Sequence, residues 1–457
     1  MELNLRKKRK TLKLHDNVAN SIYRIRPTWL KLIPLVFTLG FYPAIAAAEE
    51  AENLVTTDTS SASNSADKKE STHPQISISG FGTLGVVHSS EDEADYTSSI
   101  YKPNGAGHTH NWSADVDSLM GVQLNAAFTP ELSAVLQIIA EQNYDDTYRP
   151  HVEWANIKYD FTPDFSVSVG RVVMGSFLAS DYRKVGYAYT WVRPPGEVYR
   201  LMPVTKNDGI TASYRMHFGE ATNTVQLLHG GLDIKNIFGA EDKARDQWGL
   251  FNTFEYNALT LRVSYLQNNL EVGGTEALFD AIRQFGPQGV AIADRNECNG
   301  KRYKLASIGA SYDPGDWFVM SEFGRLNTDC FIGDQSGWYV GGGYRIGKFT
   351  PYLTYARSKA ESRVSEPGLS LTGLPPFLIG PAIGLNAANN AILNSIPQQR
   401  TIAVGTRWDF MKNTALKIQY EHTRMDDESA GPLQNFQPGY EPGGHVNLFS
   451  ATIDFVF

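Results

Sequence analysis

From Gln75 to Phe457 the chain repeats one unit: an alternating apolar and polar segment near ten residues long, a very short turn, a second such segment, then a longer polar or Gly-rich connection. Strict alternation places successive side chains on opposite faces of a β-strand. Val122, Leu124, Ala126 and Phe128 oppose Gln123, Asn125 and Ala127, and Leu132, Ala134, Leu136 and Ile138 oppose Ser133, Gln137 and Glu141. Further on, Leu259, Leu261, Val263 and Tyr265 oppose Thr260, Arg262 and Ser264; Leu416, Ile418 and Tyr420 oppose Lys417, Gln419 and Glu421. The short turns fall at Thr129-Pro130, Thr162-Pro163, Phe218-Gly219-Glu220, Tyr256-Asn257, Asp313-Pro314-Gly315-Asp316, Ile346-Gly347-Lys348 and Met411-Lys412-Asn413. Gly, Pro, Asn and Asp supply the backbone geometry such turns need. Seven turns join seven strand pairs, and one strand before the first and one after the last bring the total to roughly sixteen.

Short turns at one end and long connections at the other fit an all-β fold, a transmembrane antiparallel β-barrel. The last strand, Asn447 to Phe457, supports it: Phe449, Ala451, Ile453, Phe455 and Phe457 share a face that no later protein can cover. The opposite faces are charged or amide-bearing, so the interior is expected to be wet, unlike a small barrel filled by a greasy ligand. Aromatics near the short turns, among them Tyr159, Phe161, Trp317 and Trp408, fit an interfacial girdle. A mean hydropathy of −0.30 carries no information here, because lipid-facing and lumen-facing residues average out.

Residues 1–48 read as a cleaved signal peptide: nine Lys and Arg up to Lys31, an apolar run from Leu32 to Ile45, then Ala46-Ala47-Ala48. Pro34, Gly40 and Pro43 interrupt that run, which is short for a span of about 20 residues. Residues 49–74 are rich in Ser, Thr, Asp and Glu and read as a disordered periplasmic leader, leaving 75–457 as the barrel. Without residues 1–48 the 41 basic and 49 acidic residues become 32 and 47, a net charge of −15. Nucleic acid is therefore no expected partner, since such binding needs basic patches. The apolar stretch Leu371 to Leu393 holds three prolines, three glycines and three asparagines and reads as a long loop.

Ile78-Ser79-Gly80-Phe81-Gly82, Val169-Gly170-Arg171, Gly341-Gly342-Gly343-Tyr344-Arg345 running into Pro351-Tyr352-Leu353, and the C-terminal strand together resemble the Gram-negative porin superfamily over nearly all of Gln75 to Phe457. The resemblance implies a sixteen-stranded outer-membrane barrel, usually a homotrimer, whose third extracellular loop folds inward and narrows a water-filled channel for passive diffusion of small hydrophilic solutes. A terminal Phe457 then resembles the signal read by the barrel-assembly machinery. Here the third long connection runs from Val172 to Lys206 and carries Asp181, Arg183, Lys184, Tyr187, Arg193, Glu197 and Arg200. Charges in a narrow, partly dehydrated lumen interact more strongly than in bulk water, so they can select solutes by sign. The loop's aromatics are expected chiefly to glue it to the wall.

Bases at lumen parity opposite that loop are Lys158, Arg215, Arg262, Arg345, Arg407 and Lys417; acids are Glu141, Asp160, Glu255, Glu322, Asp409 and Glu421. The loop's basic excess leans towards anions and the net charge the other way. Acidic loops such as Glu91-Asp92-Glu93 and Asp426-Asp427-Glu428 are solvated faces beside outer-membrane lipid and lipopolysaccharide. Cys298 and Cys330 flank one hairpin at the outer rim, where an oxidising compartment favours a disulfide; two lone thiols are the alternative. No cofactor or metal is implied. A monomeric channel selective for a sugar or small organic anion is the alternative function. An outer-membrane enzyme stands behind both, with His229 and His422 the only strand histidines to consider and no nucleophile motif in the chain.

Overall fold

The computed structural model describes residues 74–457, so the expected signal peptide and all but the last residue of the expected leader lie outside the described residues. Sixteen long strands form. They are β1 (Gln75–Ser89), β2 (Leu119–Ala127), β3 (Leu132–Glu141), β4 (His151–Thr162), β5 (Phe165–Val173), β6 (Lys206–Phe218), β7 (Ala221–Lys235) and β8 (Glu241–Tyr256). The second half contains β9 (Leu259–Glu271), β10 (Lys301–Tyr312), β11 (Trp317–Thr328), β12 (Gln335–Tyr344), β13 (Phe349–Ala360), β14 (Gln399–Met411), β15 (Thr414–Met425) and β16 (His445–Val456). Each pairs antiparallel with its neighbours in sequence. β1 pairs with β2 through Gln75–Thr83 and with β16 through Phe81–Ser89, which closes the barrel and leaves no free edge.

Register keeps the two faces apart. Leu416 lies opposite Ile453 and Ile418 opposite Ala451 on the outer surface, while Lys417 lies opposite Thr452 and Gln419 opposite Ser450 on the inner one. Ile453 is 40% exposed and its neighbour Asp454 is fully buried. All seven expected short turns close hairpins. Asn257 and Asn413 adopt φ of 51° and 58° there, a left-handed conformation that Asn tolerates better than most residues.

The closing seam explains one glycine pattern. Phe457 N donates to Gly80 O at 2.9 Å and Gly80 N donates to Phe457 O at 2.8 Å. A Cβ on Gly80 would stand 2.2 Å from Phe457 Cζ, and one on Gly82 2.5 Å from Phe455 Cζ. The two rings therefore lie across the bare backbone of β1. Gly82→Val is expected to force the Phe455 ring off the seam and to cost about 1–3 kcal/mol. The temperature at which the refolded barrel loses its compact gel mobility reads this, and Phe455→Leu in the same chain should restore most of it.

At the outer rim, two-residue strands Asp95–Tyr96, Ala106–Gly107 and Leu433–Gln434 join the first and last long connections. The helices are α1 (Gly196–Tyr199), α2 (Glu276–Arg283), α3 (Pro287–Asn296) and α4 (Pro376–Leu393). α4 corrects the reading of Leu371 to Leu393 as loop. Pro376 sits in the first helical turn, where its missing N–H costs nothing. Ala382 then packs into a cluster with Phe279, Ile282, Ile292 and Leu369. Glu366 pins the assembly by accepting from Asn389 Nδ2 at 2.7 Å and from Arg295 and Asn296. Cys298 and Cys330 are joined, tying the chain just after α3 to the connection between β11 and β12. Among the described residues no helix is long and apolar enough to cross a membrane.

The interior also departs from a uniformly wet one. Leu228, Phe251, Leu266, Leu305 and Leu326 point inward from β7 to β11 and are buried. They are covered by Met174, Phe177, Val198, Leu201 and Met202 of the third long connection, so apolar residues on that part of the wall receive the loop.

Candidate functional site

The connection of residues 174–205, between β5 and β6, lies inside the barrel and is bonded to the walls on several sides. Its backbone is mostly irregular, so its carbonyls and N–H groups need partners in a buried setting. The wall supplies them. Lys417 Nζ donates to Gly186 O at 2.6 Å and Trp191 O at 2.7 Å, and Arg407 Nη1 donates to Tyr187 O at 2.7 Å and Tyr189 O at 3.1 Å. Across the barrel, Arg262 Nη1 donates to Phe177 O at 2.6 Å and its Nη2 meets Asp181 Oδ2 at 3.1 Å. Glu322 accepts from Leu178 N at 2.8 Å and from the hydroxyls of Tyr199 and Tyr339 at 2.6 and 2.8 Å.

The loop's own charges are equally engaged. Arg193, 9% exposed, makes a fork with Asp117 (Nε–Oδ1 2.9 Å, Nη2–Oδ2 2.6 Å), pairs with Glu421 and donates to Ser450 Oγ at 2.7 Å. Glu197 accepts from Gln399 Nε2 at 2.7 Å and from Thr401. Lys184 Nζ meets Glu141 Oε1 at 2.6 Å. Arg183 is spent on carbonyls of its own loop, Met202 O at 2.8 Å and Tyr199 O at 3.1 Å, and Arg200 on Pro432 O at 2.9 Å and Thr97 O. Trp191 donates from Nε1 to Thr354 Oγ1 at 2.9 Å, gluing the loop to β13.

The expected facing of loop bases and wall bases across open water is thereby revised. Lys417 and Arg262 are buried, and with Arg407 they hold the loop in place. Arg345 sits at the turn end of β12 on Asp313, 2.7 Å away, and Lys158 pairs with Asp160 at 2.8 Å. Arg215 is exposed, has no ion-pair partner among the described residues and stands near the short-turn end of β6, as Glu255 does on β8. Tyr187 lies under the Arg407 guanidinium, 4.6 Å from it.

Asp117, Thr354 and Ser450 belong to the site and carried no charge-pairing signal of their own. Extending the inward parity of Gly121 and Gln123 back along β2 reaches Asp117, which would have found it. The strand histidines stand apart: His229 lies against Trp248, tilted by 32°, and His422 bonds Asn447, both away from the lumen.

A closed sixteen-stranded barrel with an apolar outer surface and a loop tethered inside defines a transmembrane channel architecture. A family model described as Gram-negative porin matches residues 39–428, and the chain belongs to that family. No curated protein matches it. Among solved structures, an anion-selective porin from Comamonas acidovorans is 14% identical, with a TM-score of 0.49, over 84% of this chain and all of that one. OmpF of Salmonella typhi in complex with daunomycin is 12% identical, TM-score 0.49, over 84% and 97%. The outer-membrane channel DcaP of Acinetobacter baumannii is 11% identical, TM-score 0.48, over 85% and 99%. The protein is an outer-membrane porin.

Proposed function

We propose that the pore passes small hydrophilic solutes by passive diffusion, and that residues 174–205 set its size limit. The observation that carries this reading is the tethering of the loop backbone by Arg262, Arg407 and Lys417, which stand on β9, β14 and β15. A loop held by buried charges narrows the lumen permanently. Because most candidate bases are already paired, charge selection is expected to be weak and to rest on Arg215 with the Lys158–Asp160 pair and Glu255.

Single-channel recording of the refolded protein in a planar bilayer under a salt gradient tests this. Large steps with a small reversal potential are expected, and Arg215→Glu should move that potential towards cation preference; an unmoved potential would show that Arg215 does not line the pore. Homotrimeric assembly, the family's usual arrangement, predicts insertion steps in threes. Small single steps blocked by a sugar or organic anion would instead favour a monomeric selective channel. No conductance at all would sink the diffusion reading and reopen a catalytic one. Recognition of Phe457 by the assembly machinery and contact of the acidic loops with lipopolysaccharide belong to the same proposal.

A further inference from the structure

We propose that the outer vestibule, above the tethered loop, holds a binding site for a small solute with an apolar body and a hydroxyl group. A cavity of about 370 Å³ lies there, within the range of about 300–1,000 Å³ usual for small-molecule sites. Its floor is Leu201 and Met202 of the tethered loop, and its walls are Leu232, Leu270 and Leu326 near the outer ends of β7, β9 and β11. Ile396 and the exposed rings of Phe238 and Phe436 form the rim. Leu201, Met202, Leu232 and Leu326 are only 2–6% exposed, and a solute with an apolar body fits a cavity walled by such side chains.

One polar group inside this apolar setting has no partner. Asn268 lines the cavity and is 6% exposed. Its Nδ2 donates to Gln247 Oε1 at 2.9 Å, and Gln247 Nε2 in turn donates to Asn207 Oδ1 at 2.8 Å. That relay leaves Asn268 Oδ1 buried without a hydrogen bond. Buried acceptors of this kind are normally satisfied. Two of the three charged residues that line the cavity are engaged elsewhere, Arg200 on the carbonyls of Thr97 and Pro432 and Asp242 on Asn236 and Gly273, and the third is Lys243. The free amide oxygen is placed to accept from a hydroxyl.

The site makes no demand on conductance, so it can be tested apart from the diffusion reading. Calorimetric titration of 2-naphthol into the full-length protein in lipid nanodiscs, with empty nanodiscs subtracted, should show saturable binding at one site per chain. Ala244→Trp fills the cavity from β8 and should abolish that binding while the barrel keeps its compact gel mobility. Asn268→Leu should weaken 2-naphthol about tenfold, the effect of one lost hydrogen bond, and leave 2-methoxynaphthalene unchanged. Binding that never saturates above the nanodisc background, or that survives Ala244→Trp, would overturn the site. Equal weakening of both ligands by Asn268→Leu would overturn the role of its amide.

Discussion

Arg193→Ala is expected to free one side of the inner loop, giving larger and noisier single-channel steps and a shift towards cations. The guanidinium serves two carboxylates at once, Asp117 from the connection before β2 and Glu421 from β15, whose side chains are 5% and 11% exposed. Removing it leaves both charges in a dehydrated corner with no counter-charge at that position. Breaking a buried pair from one side costs about 3–5 kcal/mol. The cheapest escape is for the loop to swing away and admit water, which widens the lumen and lines it with negative charge. Arg193→Lys keeps the charge and loses the fork, so it should fall between the two. Arg183→Ala and Lys184→Ala are expected to do little, because Arg183 bonds only its own loop and the Lys184–Glu141 pair is partly wet. Step size, noise and reversal potential in a planar bilayer check all four variants. Wild-type steps from Arg193→Ala would show that the loop does not depend on this corner.

The barrel was readable because period-two alternation and turn chemistry are local. Leu259 to Ser264 and the Met411-Lys412-Asn413 turn each specify their geometry without reference to the rest of the chain. The inward loop came from family resemblance and from its content of charged and aromatic residues. What each of those residues touches depends on register across half the barrel. Lys417 had the right parity and the wrong partner: parity points a side chain inward, but only the assembled wall decides whether it meets water or the carbonyls of Gly186 and Trp191. The helix Pro376–Leu393 was missed for the converse reason. Its prolines, glycines and asparagines disfavour a helix locally, and the cover given by Phe279, Ile282 and Ile292 comes from a segment about a hundred residues earlier. The apolar inner surface of β7 to β11 was hidden in the same way, since Leu228, Phe251 and Leu266 gain their meaning only once Phe177 and Leu201 lie on them.

Lys417→Met should be the most damaging single change in the barrel, and its rescue should separate barrel stability from loop position. Lys417 and Asp454 are both fully buried, 3.1 Å apart, on the neighbouring strands β15 and β16 beside the closing seam. Asp454 also accepts from Thr83 Oγ1 at 2.5 Å, so the pair reaches across β15, β16 and β1. Methionine keeps the unbranched stem of lysine as far as Cε but strands the carboxylate, at a cost of about 3–5 kcal/mol. Low refolding yield and a much lower temperature for loss of compact gel mobility are expected. The double variant Lys417→Met/Asp454→Asn removes the stranded charge, keeps a side chain able to bond Thr83, and should recover most of that temperature. It cannot restore the loop. Gly186 O and Trp191 O lose their ammonium donor in both variants, each at about 1–3 kcal/mol if left buried. A refolded double variant should therefore conduct with larger and less uniform steps than the wild type while melting near it. If the double variant melted as early as the single one, the stranded charge would not be the dominant loss; if it conducted in wild-type steps, the lysine would not be what holds the loop.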